Sequence, residues 1–130
     1  MARKMVEGIT DAGVDVKLVD INQSDRTEIV KEMLNAKGYL IGSATHDNGM
    51  LPAMAGFLDF LNGLKPKNRC AAAFGSYGWS GGAVTNIEKM IKEAGIALAM
   101  PSISFKYLPD ENEMKKCYEF GKEFAGKISV

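Results

Sequence analysis

The stretch that most constrains the fold is Cys70-Ala71-Ala72-Ala73-Phe74-Gly75-Ser76-Tyr77-Gly78-Trp79-Ser80-Gly81-Gly82-Ala83. Residues 70–74 are short, apolar and uncharged, as expected of a strand buried on both faces. Four glycines follow, with Ser, Tyr and Trp between them, and then a helical pattern begins. Glycine lets a ligand approach the main chain closely. Tyr77 and Trp79 put two large flat surfaces on a loop. In an open α/β sheet, ligands bind at the loops that follow the carboxyl ends of the strands. A planar, conjugated ligand suits this loop. The competing explanation is a tight strand-to-helix turn whose aromatics only cap the core.

A second stretch weighs against that explanation. Gly38-Tyr39-Leu40-Ile41-Gly42 is another short apolar strand. It runs into Ser43-Ala44-Thr45-His46-Asp47-Asn48-Gly49-Met50-Leu51-Pro52, which is rich in small hydrogen-bonding residues. Both loops leave the same end of one parallel sheet and so border a cleft.

The remaining pattern supports such a sheet. Residues 1–12 read as a helix with Met1, Met5 and Ile9 on one face, stopped by Gly13. Val14, Val16 and Leu18 alternate with charged residues, as on a strand near a sheet edge. Ser24 is placed to cap a helix bearing Ile29, Val30, Met33 and Leu34. Pro52 suits the first turn of a third helix, with Met54, Ala55, Leu58 and Leu61 as its apolar face. Val84, Ile87, Met90, Ile91 and Ala94 mark a fourth helix, closed by Gly95. Residues 96–105 form a last strand region, interrupted by Pro101. Asp110 and Glu113 have capping-box spacing, and Met114, Cys117, Tyr118, Gly121, Phe124 and Ile128 follow at helical intervals. Strands alternating with helices imply a parallel sheet with right-handed crossovers. The anomaly is the opening, since such a domain begins with a strand and this chain begins with a helix.

Composition sets limits on partners. The 130 residues fit one domain. Sixteen basic and sixteen acidic residues cancel, so no basic field invites nucleic acid or an anionic membrane. No apolar run approaches the ~20 residues that span a bilayer, and no signal peptide opens the chain. Cys70 and Cys117 lack metal-ligand spacing and read as buried thiols in a reducing cytoplasm. A single histidine argues against a His-rich metal site. His46 reads as a solvated loop residue. A hydrolytic role for Ser76 or Ser80 is weak, because no histidine is placed to activate either.

Residues 41–52 and 73–83, together with Lys106-Tyr107-Leu108-Pro109 and Cys117-Tyr118-Glu119, resemble the flavodoxin-like, FMN-binding domain of the flavodiiron proteins (A-type flavoproteins). The resemblance runs over essentially the whole chain, and the 75–82 loop is its most specific part. It implies a three-layer α/β sandwich with a parallel sheet of order 2-1-3-4-5. Strand 1 of that order is missing here, so residues 1–130 read as an amino-terminally truncated flavodoxin-like domain.

The resemblance also implies FMN as cofactor and electron transfer as function. One loop of the family wraps one edge of the isoalloxazine ring, and the other covers a second edge. Ser43, Ala44, Thr45, Asn48 and Gly49 are then expected in the first loop. Gly75, Ser76, Tyr77, Gly78, Trp79, Gly81 and Gly82 are expected in the second. The family usually has Pro where Ala44 stands. Its phosphate-gripping loop precedes a helix that starts like Met1-Ala2-Arg3-Lys4-Met5, and its diiron domain lies further upstream. Neither is in this sequence. No residue here is needed as acid, base or nucleophile. Expected partners are FMN, a redox protein such as a diiron domain or a rubredoxin-like donor, and a second copy or another chain completing the sheet. The alternative is a truncated domain that no longer binds flavin and acts as an interaction module.

Overall fold

The computed structural model describes residues 1–46, 49–78 and 82–128, with side-chain surroundings given outside 45–49. Chain order is α1 (Ala2–Asp11), α2 (Arg26–Asn35), β1 (Gly38–His46), β2 (Gly49–Met50), α3 (Pro52–Leu64), β3 (Cys70–Tyr77), α4 (Ala83–Glu93), β4 (Ala97–Leu98), β5 (Ile103–Lys106) and α5 (Glu111–Ile128). β1 pairs in parallel with β3, and β3 pairs in parallel with both β4 and β5. β4 and β5 are therefore two pieces of one strand position, split at Met100-Pro101-Ser102. A proline there has no N–H to give to a ladder.

Alternation across this sheet sorts its side chains into two cores. Tyr39, Ile41, Ala71 and Ala73 face Ile29 and Met33 of α2, Phe57, Leu58 and Leu61 of α3, and Ile87 and Ile91 of α4. Ala72 and Phe105 face Met5 of α1 and Cys117, Phe120 and Phe124 of α5. The chain is thus a three-layer α/β sandwich of the flavodoxin type. The alanines of β3 are fully buried, so small side chains let helices seat closely on both faces.

The α1–α5 layer is tighter still. A Cβ on Gly8 would collide with the Tyr118 carbonyl oxygen, and one on Gly121 with that of Met5. The two helices therefore touch backbone to backbone. Tyr118 Oη closes the far end of the contact by donating to Asp11 Oδ2 at 2.6 Å.

The expected strand at 14–19 does not form; these residues join no ladder. A strand exists only through a partner, and in the 2-1-3-4-5 order the neighbour of this segment is strand 1. The segment is instead tied by Lys17 Nζ to Glu32 Oε1 at 2.8 Å. Val19 packs on the core while Val16 and Leu18 stay 38% and 52% exposed. Along residues 38–44, β1 has a ladder with β3 on one edge; among the described residues its other edge meets only β2, at Thr45 and His46.

Two smaller expectations also shift. Asp25, not Ser24, caps α2, its side chain accepting the Thr27 N–H. Residues 43–45 and 75–77, read as loop, are strand. Gly75, Ser76 and Tyr77 are held by β5 on one side, and the first two also by β1. Ladder bonds outweigh the weak strand preference of Gly and Ser.

Candidate site at the carboxyl end of the sheet

Three strand ends meet at one level. Ser43 of β1 stands opposite Gly75 of β3, which stands opposite Ser104 of β5. Ala44 and Phe105 likewise flank Ser76, and Lys106 faces Tyr77. Gly75 is required by this proximity, because a Cβ there would run into the Ser43 carbonyl oxygen and come within 3.0 Å of Val84 Cγ2. The two sequence-predicted loops therefore emerge side by side.

The first loop is braced from within. Ser43 Oγ accepts the Leu51 N–H at 3.0 Å and donates to Ala44 O at 2.8 Å. Its hydroxyl thus ties the end of β1 to the start of α3. Ala44 is exposed. Thr45 and Gly49 lie on β1 and β2, which close the loop as a short antiparallel pair. Asn48 lies outside the described residues.

The second loop starts at Tyr77, which is half-buried, and Gly78. Ser76 is also half-buried. Trp79 and Gly81 lie outside the described residues. Gly82 is the residue before α4, and its carbonyl accepts the Asn86 N–H at 3.0 Å. Helix α4 thus starts at this end of the sheet, with the positive dipole end of its first turn.

A third element joins these two, and loop reasoning from the sequence missed it. Tyr107 directly follows β5, and its N–H donates to the Tyr77 carbonyl at 2.6 Å. The sequence signals were its place next to the last apolar strand and within Lys106-Tyr107-Leu108-Pro109, one of the stretches resembling the family, to which the resemblance assigned no site role.

The thiols belong elsewhere. Cys117 is buried in the α1–α5 layer and Cys70 sits at the amino end of β3, both unpaired with each other. Burial raises both thiol pKa values above the ordinary 9.0. A concavity of about 450 Å³ opens beside Cys70, lined by Lys37, Arg69 and Lys127. It lies at the opposite end of the strands from the glycine-rich loop. Arg69 there already donates to the carbonyls of Leu34 and Lys67, so its charge serves the carboxyl end of α2. Among the described residues, no cluster of His, Cys, Asp and Glu could hold a metal ion. No described helix is long and apolar enough to cross a membrane.

The carboxyl-end site fits a flat ligand better than a reactive one. It offers main chain without a side chain at Gly78, a half-buried aromatic, and a hydroxyl already engaged within the protein.

Comparison with known proteins agrees with this geometry. The flavodoxin family model matches residues 1–121. The chain is 40% identical over 130 residues to a nitric oxide reductase of Moorella thermoacetica, covering 99% of this chain and 33% of that protein. It is 39% identical over 127 residues to the anaerobic nitric oxide reductase flavorubredoxin of Escherichia coli K12, covering 96% and 26%. Among solved structures it superposes on the rubredoxin oxygen:oxidoreductase of Desulfovibrio gigas with a TM-score of 0.94 at 30% identity, covering 98% of this chain and 32% of that one. An archaeal flavodoxin gives 0.90 at 29% identity, covering 99% and 88%. The chain spans a third or less of the two reductases it matches. From its sheet register, its glycine-rich strand end and these likenesses, the chain belongs to the flavodoxin family, as a domain homologous to the flavodoxin-like domain of the flavodiiron proteins.

Proposed function

We propose that this domain binds FMN at the carboxyl end of its sheet and passes electrons, one or two at a time, between the flavin and a redox partner. The observation that carries this reading is the opposition of Ser43 and Gly75, which sets the starts of both loops side by side. When bound, FMN supplies the redox chemistry. The protein's own contribution is to orient and shield the ring. The main chain at Gly78 comes close to it because it carries no side chain, while Gly75 lets β1 and β3 bring the two loops together. Tyr77, with Trp79, Gly81 and Gly82 beyond it, covers one edge. Ala44, Thr45, Asn48 and Gly49 line the other, braced by Ser43.

The partner we favour is a diiron domain or a rubredoxin-like donor, since relatives of this domain are named flavorubredoxin and rubredoxin oxygen:oxidoreductase. Reduction of nitric oxide or oxygen belongs to those longer proteins and comes to this chain only as a proposal about the assembly it serves. Two unpaired cysteines favour a reducing compartment such as the cytoplasm. The bare edge of β1 favours completion of the sheet by a second copy or another chain.

An absorption spectrum during titration with FMN and with riboflavin tests the flavin reading. The two visible bands of protein-bound oxidised flavin are expected. The 130 residues alone should favour FMN over riboflavin only slightly, because the phosphate-gripping loop is not among them. Each charge-assisted hydrogen bond is worth about 1.5–3 kcal/mol, so three such bonds would separate the two ligands by roughly a thousandfold or more. No spectral change with either ligand would sink the flavin reading and leave the interaction module.

A further inference from the structure

Tyr107 carries more than the end of a strand requires. Its φ is +58°, in the left-handed region that favours glycine or asparagine. The 2.6 Å bond from its N–H to the Tyr77 carbonyl holds it there. The residue is 63% exposed and belongs to neither core. The ring lies beside Gly78, with Cε1 3.5 Å from the position a Cβ on that glycine would take. Lys106 Nζ stands 5.5 Å from the ring centre. A strand terminator needs the left-handed turn but not an aromatic ring, and glycine would make that turn without strain. Strain kept at an exposed aromatic beside a candidate ligand loop points to function.

We propose that Tyr107 is the third wall of the ring site. It extends the site from the two loops after β1 and β3 onto the one after β5, and its side chain supplies an aromatic surface at the rim beside Gly78. This rests on the flavin reading above.

The test uses the full polypeptide that carries these residues, stripped of any bound flavin. Lumiflavin, which is the ring without ribityl chain or phosphate, and FMN are titrated by fluorescence quenching into wild type, Tyr107→Phe, Tyr107→Leu and Tyr107→Gly. The Phe variant keeps the wild-type affinity for both. The Leu and Gly variants weaken both ligands by the same factor, about fivefold, which is the size of a lost aromatic contact. The ligand-free Gly variant melts no lower than wild type, since the left-handed strain is relieved. Wild-type lumiflavin affinity in both the Leu and Gly variants would overturn the role of Tyr107 and leave the flavin reading standing. A wild-type protein that binds neither ligand would overturn both.

Discussion

Ser43 and Gly75 face each other across the β1–β3 ladder so closely that the Ser43 carbonyl oxygen occupies the space a side chain on Gly75 would need. The obstacle is main chain on one side and Val84 of α4 on the other, so neither can swing away. Gly75→Ala should therefore cost about 1–3 kcal/mol, the usual penalty of overpacking. Urea denaturation measures it. A variant as stable as wild type would mean the strand ends are looser than the register implies.

The helix pair α1–α5 gives a contrast within one element. Gly121→Ala drives a methyl into the Met5 main chain and should destabilise by about 1–3 kcal/mol. Gly126→Ala, on the same helix, meets nothing within 4 Å and should stabilise by about 0.5–1 kcal/mol. Thermal melts of the two variants should move in opposite directions. Equal shifts would contradict the backbone contact.

The capping box at α5 is closed in both directions. Asp110 Oδ1 accepts the Glu113 N–H at 2.8 Å, and Glu113 Oε1 accepts the Asp110 N–H at 3.2 Å. Asp110→Ala should lose about 0.5–2 kcal/mol. The loss should appear as a lower urea midpoint with an unchanged slope.

Among the described residues, the edge of β1 away from β3 joins no ladder along residues 38–44, and Val16 and Leu18 stand exposed. Unmet backbone groups on an open edge recruit other chains. The 130 residues expressed alone should associate at micromolar concentration. Sedimentation reads this directly, and a monomer that melts cooperatively would show that the edge needs no partner.

Both thiols should be slow to react. Burial disfavours the thiolate, so at pH 8 less of either cysteine is ionised than in the unfolded chain. A thiol whose folded pKa lies above its unfolded value contributes stability that is intact below the unfolded pKa. That contribution is lost as pH rises toward the folded pKa. Iodoacetamide should label Cys117 quickly only in denaturant. Rapid native labelling at pH 8 would refute its burial.

Short-range chemistry was legible in the sequence, and long-range pairing was not. The capping box, the proline at the start of α3, the glycine stops after α1 and α4 and the apolar stripes of the helices are written within a turn or two of chain. Each formed where its residues placed it. The stretch after Cys70 likewise announced a buried strand running toward a helix. A ladder has no such local signature. Val14, Val16 and Leu18 alternate as a strand does, yet no partner meets them, whereas Gly75, Ser76 and Tyr77 read as loop and became strand because neighbours hold them. Tyr107 came to lie beside Tyr77 and Gly78 for the same reason, through a bond to Tyr77 thirty residues earlier in the chain. The sequence determined which segments are helices and which glycine-rich stretch closes the central strand. The tertiary structure decided which extended segments are strands and which side chains stand together there, because hydrogen-bond partners far apart in sequence meet only in the folded chain.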